Sequence, residues 1–425
     1  MSDNAWIGID LGTSGCRAIA IDDQGLVIAQ QRSDFAHSQQ VQTQQSPQQH
    51  WQLVKDCLGL LLSRLDAFKI IAIAVDATSG SVMLADSAGE AASALLMYHD
   101  TSASVEASLI KSVAPTDSAA HGVGSGLAKA LYLRHHTQQD KSLRLLHQAD
   151  WINLKLGVSR HITDYNTALK TGFDAQLMCW PDWINALIPS SMLPEVVAPG
   201  TVIGRLDKML CDDFNLSESP LIVAGTTDSI AGVIATGAYQ PGDAVTVLGS
   251  TLVLKIISER SIFVPALGVY SHRFDKHWLV GGASNCGAAV LRQFFDDETL
   301  KSMSEQINLA DQPAAYYPLP AKGERFPVND PDKQPLLSPR PDSDALFLHG
   351  LLKSLARVEA EGYQCLQKQG APVINNMRTI GGGAGNPVWQ ALRQQYLHCP
   401  FLPVEQTEPA YGSAELARKA TQENY

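Results

Sequence analysis

Trp6-Ile7-Gly8-Ile9-Asp10-Leu11-Gly12-Thr13-Ser14-Gly15-Cys16-Arg17-Ala18-Ile19-Ala20-Ile21 is the stretch that decides the fold. Ile7, Ile9 and Leu11 alternate along a strand, Gly12-Thr13-Ser14-Gly15 makes a tight turn, and Ala18 to Ile21 forms a second strand. A further turn at Asp22-Asp23-Gln24-Gly25 leads to a third strand ending near Ala29. The same layout recurs in Ala244-Val245-Thr246-Val247-Leu248-Gly249-Ser250-Thr251-Leu252-Val253-Leu254. Leu11-Gly12-Thr13-Ser14 lines up with Leu248-Gly249-Ser250-Thr251 at a constant offset of 237 residues. Such an echo suggests a duplicated domain with two equivalent hairpins facing each other, although four residues also match by coincidence.

Outward from these hairpins the chain alternates helix and strand. The glutamine-rich stretch Gln39 to Gln52 reads as a surface loop entering a helix at Pro47 with Trp51 as a buried anchor, rather than as a disordered tract. Ile70 to Val75 is a short buried strand ending at Asp76-Ala77-Thr78-Ser79-Gly80. From Ser102 to Ile188 the spacing is mainly helical, broken by loops at His121 to Gly126 and Asp164 to Thr167. Leu221 to Gly225 is a strand that stops at Thr226-Thr227-Asp228-Ser229 before another helix, which places the domain division between residues 223 and 224. Pro313 to Pro341 is an irregular connection, a long helix follows from Leu346 to about Gln369, and Met377 to Trp389 returns to strand, glycine turn and helix.

At 425 residues the chain exceeds one ordinary core, and length over roughly 150 suggests two or three domains. With 45% hydrophobic and 18% charged residues it is globular rather than disordered. A net charge of −11 disfavours a nucleic-acid partner or an anionic membrane surface. The seven cysteines are odd in number, dispersed and without a Cys-x-x-Cys pair, so reduced thiols in the cytoplasm are expected and a zinc site is not. No apolar run approaches the ~18 residues of a membrane helix, and the amino terminus shows no signal-like segment. P-loop, zincin, nucleophile-elbow and protein-kinase signatures are absent, and oligomeric state is left open.

Glycine-hydroxyl turns between strands concentrate backbone N–H groups and hydroxyls where a phosphate oxygen needs them, and two such turns can clamp a polyphosphate. The plainer alternative is that Gly12 and Gly249 only make hairpins. Asp10 bears on that choice, because a carboxylate ending an apolar strand is costly unless it meets a metal or a donor, and beside phosphates it suits Mg²⁺ or a metal-bound water. Asp228 ends a second buried strand. It is either a helix cap or the proton acceptor that phosphoryl transfer to a hydroxyl requires. Gly381-Gly382-Gly383 permits close backbone approach to a ligand. Cys16, beside the first turn, is read as a space filler in preference to a redox device.

Together these residues resemble the FGGY carbohydrate kinases. The resemblance rests on Ile7 to Ser14, Gln45-Ser46-Pro47 with Trp51, Asp164 to Ala168 with Thr171, Ala224 to Asp228 and Gly249 to Thr251. It continues through Tyr317 to Pro320, Gly323-Glu324-Arg325, Gly381 to Ala384 with Trp389, and Glu408 with Gly412 to Ala414. It implies an α/β, two-lobed actin-like ATPase fold of the ribonuclease H-like kind. That fold is a duplicated domain with an ATP cleft between a sugar-binding lobe (1–223) and an ATP-binding lobe (224–425). Within the family the chain is most similar to a short D-ribulose kinase type, through Asp10 to Gly15, Gln148 to Trp151, Tyr270 to His272, Gly281 to Gly287 and Gly323 to Pro327.

The resemblance implies MgATP and a pentulose as substrates, with D-ribulose first and D-xylulose, L-ribulose or a polyol as alternatives. Asp228 would deprotonate the sugar hydroxyl and Asp10 would hold Mg²⁺. Gly12, Thr13, Gly249 and Ser250 would hold phosphates, Gly382, Gly383, Asn386 and Trp389 would line the adenosine site, and Ser14 and Ser79 would touch the sugar. A rival is an actin-like ATP switch that phosphorylates nothing. One departure stands out: where the family reads Trp-x-Asp-x-Arg, this chain has Tyr98-His99-Asp100-Thr101-Ser102, so the arginine that reaches the sugar is missing.

Overall fold

Both predicted hairpins form, each at the centre of its own sheet. In the computed structural model, which describes residues 3–137 and 142–422, β1 (Asn4–Leu11) pairs antiparallel with β2 (Gly15–Ile21), and β2 with β3 (Val27–Asp34). On its other side β1 runs parallel to β4 (Lys69–Ala77). The sheet is completed by β5 (Val202–Arg205) and β6 (Leu221–Thr227), giving the order β5-β6-β4-β1-β2-β3 with β6 parallel to β4.

The second sheet repeats the central part. β7 (Asp243–Leu248) pairs antiparallel with β8 (Leu252–Ser258), which pairs with β10 (His277–Ser284) and through it with β9 (Tyr270–Phe274). β11 (Asn376–Ile380) lies parallel to β7, where β4 lies parallel to β1. The repeat is therefore topological as well as sequential. It slips by one residue at the turn: Leu11 pairs with Cys16 across four residues, whereas Leu248 pairs with Leu252 across three.

Alternation sorts the first sheet into two faces. Ile7, Ile9, Leu11, Ile73 and Val75 pack on α1 (Pro47–Leu62) and α3 (Gln148–Leu156) in a large apolar core. Trp6, Ala72, Ala74 and Val223 face the C-terminal helix (Pro409–Gln422), which presents Ala410, Ala414 and Ala417. Small residues allow close approach there, and a Cβ on Gly8 would run into the backbone of Ala410 and Ala414. α1 begins as expected, with Ser46 as cap and Pro47 at the first position, but it buries His50 while Trp51 stays half-exposed.

Between Ser102 and Ile188 the structure is less helical than the spacing predicts. α2 (Gly126–His136) packs on a four-stranded sheet that takes one strand, Arg144–His147, from this region. Asp164 to Thr167 is a strand end and a short helix rather than a loop.

Contacts divide the chain into a first unit, Met1–Ala235 with Glu408–Tyr425, and a second, Thr236–Thr407. The expected division between 223 and 224 falls inside β6. Contact shifts the division because α4 (Asp228–Ala235) and the C-terminal helix pack on one another and on the first sheet. In the second unit the 25-residue helix α5 (Asp344–Lys368) spans two apolar clusters beneath the sheet. No helix among the described residues is long and apolar enough to cross a membrane.

Candidate active site

The predicted residues of the first unit follow the carboxyl ends of its three parallel strands, the usual place for ligands in such sheets. Gly12 to Ser14 follow β1, Ser79 follows β4, and Asp228 follows β6 as the first residue of α4. The first turn is closed by Gly12 N–H donating to Gly15 O at 3.0 Å, while Ser14 O accepts from Phe35 N–H at 2.9 Å. Neither Gly12 nor Gly249 has positive φ, and the nearest atoms to a Cβ on them would be 3.9 Å and 3.5 Å away. The hairpins themselves therefore do not demand glycine at these positions, which favours close ligand approach as the reason for it.

Asp10 lies on the face of β1 that meets the C-terminal helix, directly opposite Asp76 on β4. Burial, and then the charge of Asp228, push the Asp10 carboxyl up to about 6. Burial and the neighbouring Asp10 push Asp76 well above the usual carboxylate range, and its Oδ2 accepts from Ser413 Oγ at 2.5 Å. Oδ1 of Asp10 is buried without a hydrogen-bond partner. Arg17, beside Asp10 in register, is ion-paired with Glu408.

β6 is irregular just before Asp228, its pairing with β4 shifting between Ala224 and Thr227. The shift aims Thr226 at Asn166 Nδ2 (3.2 Å) and Asp164 Oδ1 (3.3 Å), tying the strand end to the short helix Tyr165–Ala168. Asp228 Oδ1 accepts from Ser229 N–H at 2.6 Å. Lys170, lowered by burial, is held up by the charge of Asp228. Ser79 Oγ is buried without a partner, in a turn whose neighbours are bonded: Thr78 Oγ1 lies 2.6 Å from both Ser81 Oγ and Gln148 Oε1. His50, pushed down to about 4 by burial and so neutral, completes that network through Gln148 and Gln45.

In the second unit Gly249, Ser250, Gly382, Gly383, Asn386 and Trp389 line one cavity of about 650 Å³. Asn386 caps α6 (Pro387–Gln394) by accepting from Trp389 N–H at 3.0 Å and donates to Ser304 Oγ at 2.9 Å. Its amide is thus anchored rather than free to swing onto a ligand. The wall is braced by a buried Arg393–Glu359 pair, with nitrogens 2.6 and 2.7 Å from the two carboxylate oxygens. Thr246 and Thr379 complete its hydrogen bonds. Arg292 and Lys301 also line the cavity. The sequence reading missed them because an isolated helical cation carries no signal. It also missed Asp76, although that residue ends an apolar strand just as Asp10 does.

The family model described as the N-terminal domain of the FGGY family of carbohydrate kinases matches residues 5–235, and that of the C-terminal domain matches 244–421. Xylulose kinase of Escherichia coli K12 is 24% identical, over 98% of this chain and 90% of its own. Apulose kinase of Pectobacterium atrosepticum is 24% identical, over 97% and 89%. Among solved structures, a Brucella ovis enzyme described as a xyloylose kinase superposes with a TM-score of 0.87 at 20% identity, covering 99% of this chain and 91% of its own. Glycerol kinase of Plasmodium falciparum with ADP gives 0.85 at 14% identity, covering 99% and 90%. With both family models matching in order, and with the two-domain actin-like ATPase fold, the chain belongs to the FGGY family of carbohydrate kinases and is an ATP-dependent sugar kinase.

Proposed function

We propose that the enzyme transfers the γ-phosphoryl group of ATP to the terminal hydroxyl of D-ribulose, with Asp228 as the general base. The observation that carries this reading is a pair of strand-end carboxylates in unlike surroundings, Asp10 buried and raised, Asp228 at a helix start beside Lys170. Such division is what the reaction needs. An alcohol is a poor nucleophile, so one carboxylate must accept its proton while the other manages charge on the phosphates. Gly12, Thr13, Gly249 and Ser250 would donate to phosphate oxygens, and Gly382, Gly383, Asn386 and Trp389 would shape the nucleoside site. Ser14 and Ser79 would meet the sugar.

Magnesium fits Asp10. The residue offers a hard carboxylate oxygen with no protein partner, and no cluster of three ligating side chains occurs among the described residues. One carboxylate supplemented by water and phosphate is how Mg²⁺ is commonly held, and the ion would neutralise charge on the transferred group. The role of the chain is to hold Asp10 in place, through its register with Asp76 and the bond from Ser413 to Asp76.

D-ribulose is favoured by the likeness to the short D-ribulose kinase type. D-xylulose is the second reading, favoured by relatives named xylulose kinase. Incubation with MgATP and D-ribulose is expected to give ADP and a terminal phosphate ester in equal amounts, assigned by phosphorus NMR. ADP without ester would refute the reading.

A further inference from the structure

Glu324 takes no part in the chemistry proposed above, yet it is only 2% exposed and its carboxylate holds the segment that follows β10. Oε1 accepts from Asn285 N–H at 2.6 Å and from Arg325 N–H at 2.8 Å. Oε2 accepts from Ser284 Oγ at 2.7 Å and from the Tyr317 hydroxyl at 3.2 Å. An ionised carboxyl group only accepts, and each of these partners donates. Charge-assisted bonds of this kind are stronger than neutral ones. Asn285 adds two bonds of its own, its Nδ2 donating to Gly323 O at 2.9 Å and its Oδ1 accepting from Arg325 Nε at 2.6 Å.

An irregular connection can place a buried side chain only where something anchors it. Phe326, two residues on, is fully buried in the apolar cluster of β8 and α5. Its ring fills the space that two glycines leave: a Cβ on Gly282 of β10 would lie 2.7 Å from it, and one on Gly362 of α5 would lie 2.8 Å from it. Glu324 N–H also donates to Asp330 O at 2.8 Å, and Asp330 N–H returns the bond at 2.9 Å.

The second glycine turn rests on the segment that Glu324 fixes. Leu252 N–H donates to Cys286 O at 2.7 Å, Ala288 N–H to Gly249 O at 2.9 Å and Ala289 N–H to Ser250 O at 3.2 Å. The two backbones are so close that a Cβ on Gly287 would lie 2.4 Å from Ser250 O and 2.6 Å from Thr251 Cα. Ala288 then joins Gly249 and Ser250 in lining the cavity. We propose that Glu324 is a positioning residue for phosphoryl transfer, which sets the turn at residues 249–251 against the phosphates of ATP by fixing the segment 284–287 behind it. This rests on the reading above that the turn meets phosphate. A misplacement of about 1 Å, caused away from the chemistry, is enough to cost on the order of 10²-fold in rate.

Kinetics and calorimetric titration of the full chain carrying Glu324→Ala, Glu324→Asp or Glu324→Gln test this. Glu324→Ala is expected to raise the ATP KM, and the Kd for the β,γ-methylene analogue of ATP, about ten- to hundredfold, since the displaced turn loses bonds to charged oxygens. The Kd for adenosine, which has no phosphate, and the ketose KM should both stay within about twofold, the residues proposed to meet the sugar belonging to the first unit. Glu324→Gln should restore most of the affinity for the analogue. Its oxygen keeps the two backbone donors, while its amide faces the hydroxyls of Ser284 and Tyr317, which rotate to accept. Should the alanine variant not fold, Glu324→Asp decides: charged but one methylene shorter, it is expected to weaken the analogue severalfold and adenosine not at all. An unchanged affinity for the analogue, an equal loss for adenosine, or a glutamine variant as weak as alanine overturns the inference alone. Ser250→Asp tests the reading beneath it, because a negative charge at the turn should weaken the analogue and spare adenosine. If that variant binds the analogue as tightly as the unmodified enzyme, the turn does not meet phosphate and both fall.

Discussion

Asp228 starts a helix while Asp164 is buried at a strand end, and the consequence of each placement is measurable. Asp228→Ala is expected to lower sugar phosphorylation by about 10²–10⁴-fold, the usual contribution of a general base, while leaving nucleotide affinity within about twofold. Ester formation near the unmodified rate would remove Asp228 from the base role. Asp164 is buried, and desolvation pushes its carboxyl from 3.8 to about 6 despite hydrogen bonds from Thr167 and the backbone. Below about pH 4 both folded and unfolded chains hold this proton. Between about 4 and 6 only the folded chain does, so unfolding free energy should fall by up to about 3 kcal/mol as pH rises through that window. Asp164→Asn, which keeps the cap, should flatten that part of the denaturation profile. An unchanged slope would show that Asp164 titrates normally.

At the level of elements, the C-terminal helix is the piece whose importance the chain order conceals. It follows the whole second unit yet packs on β1, where Trp6 Nε1 donates to Thr421 Oγ1 at 2.8 Å and Ser413 reaches Asp76. A Cβ on Gly412 would strike the backbone of Ala231 on α4. Gly412→Val should therefore cost about 1–3 kcal/mol by overpacking and lower turnover by displacing α4, which begins at Asp228. Denaturant titration beside kinetics would show both effects, and a neutral variant would contradict this packing. The hairpins, α1, α5 and the glycine turn were legible because period, caps and turn residues agree locally. The region from Ser102 to Ile188 was not, because its short strands are fixed by partners far along the chain, as Val82 is by His147. Within the site, residues in local motifs could be nominated from sequence, and Gly12 to Ser14, Ser79 and Asp228 follow the carboxyl ends of parallel strands. Asp76 was hidden, since its place opposite Asp10 depends on a strand pairing that only the fold supplies.

For the molecule as a whole, duplication explains why each unit offers a glycine turn after a strand with a parallel neighbour. It also explains why the echo survives in the turn better than in its surroundings. The first unit depends on a segment that follows the second. A chain ending at Thr407 should accordingly lose the cooperative unfolding of the first unit, its Trp6, Ile19, Ile21 and Val223 face being uncovered. An unshifted melting temperature would refute that. Family membership establishes a sugar kinase, and the identity of the sugar is the claim that remains to be tested directly. The decisive measurement is kcat/KM with saturating MgATP for D-ribulose, D-xylulose, L-ribulose and glycerol, with ADP and phosphate ester quantified together. The account predicts stoichiometric ester and the highest kcat/KM with D-ribulose; a higher value with D-xylulose, or ADP release without ester for every sugar, would contradict it.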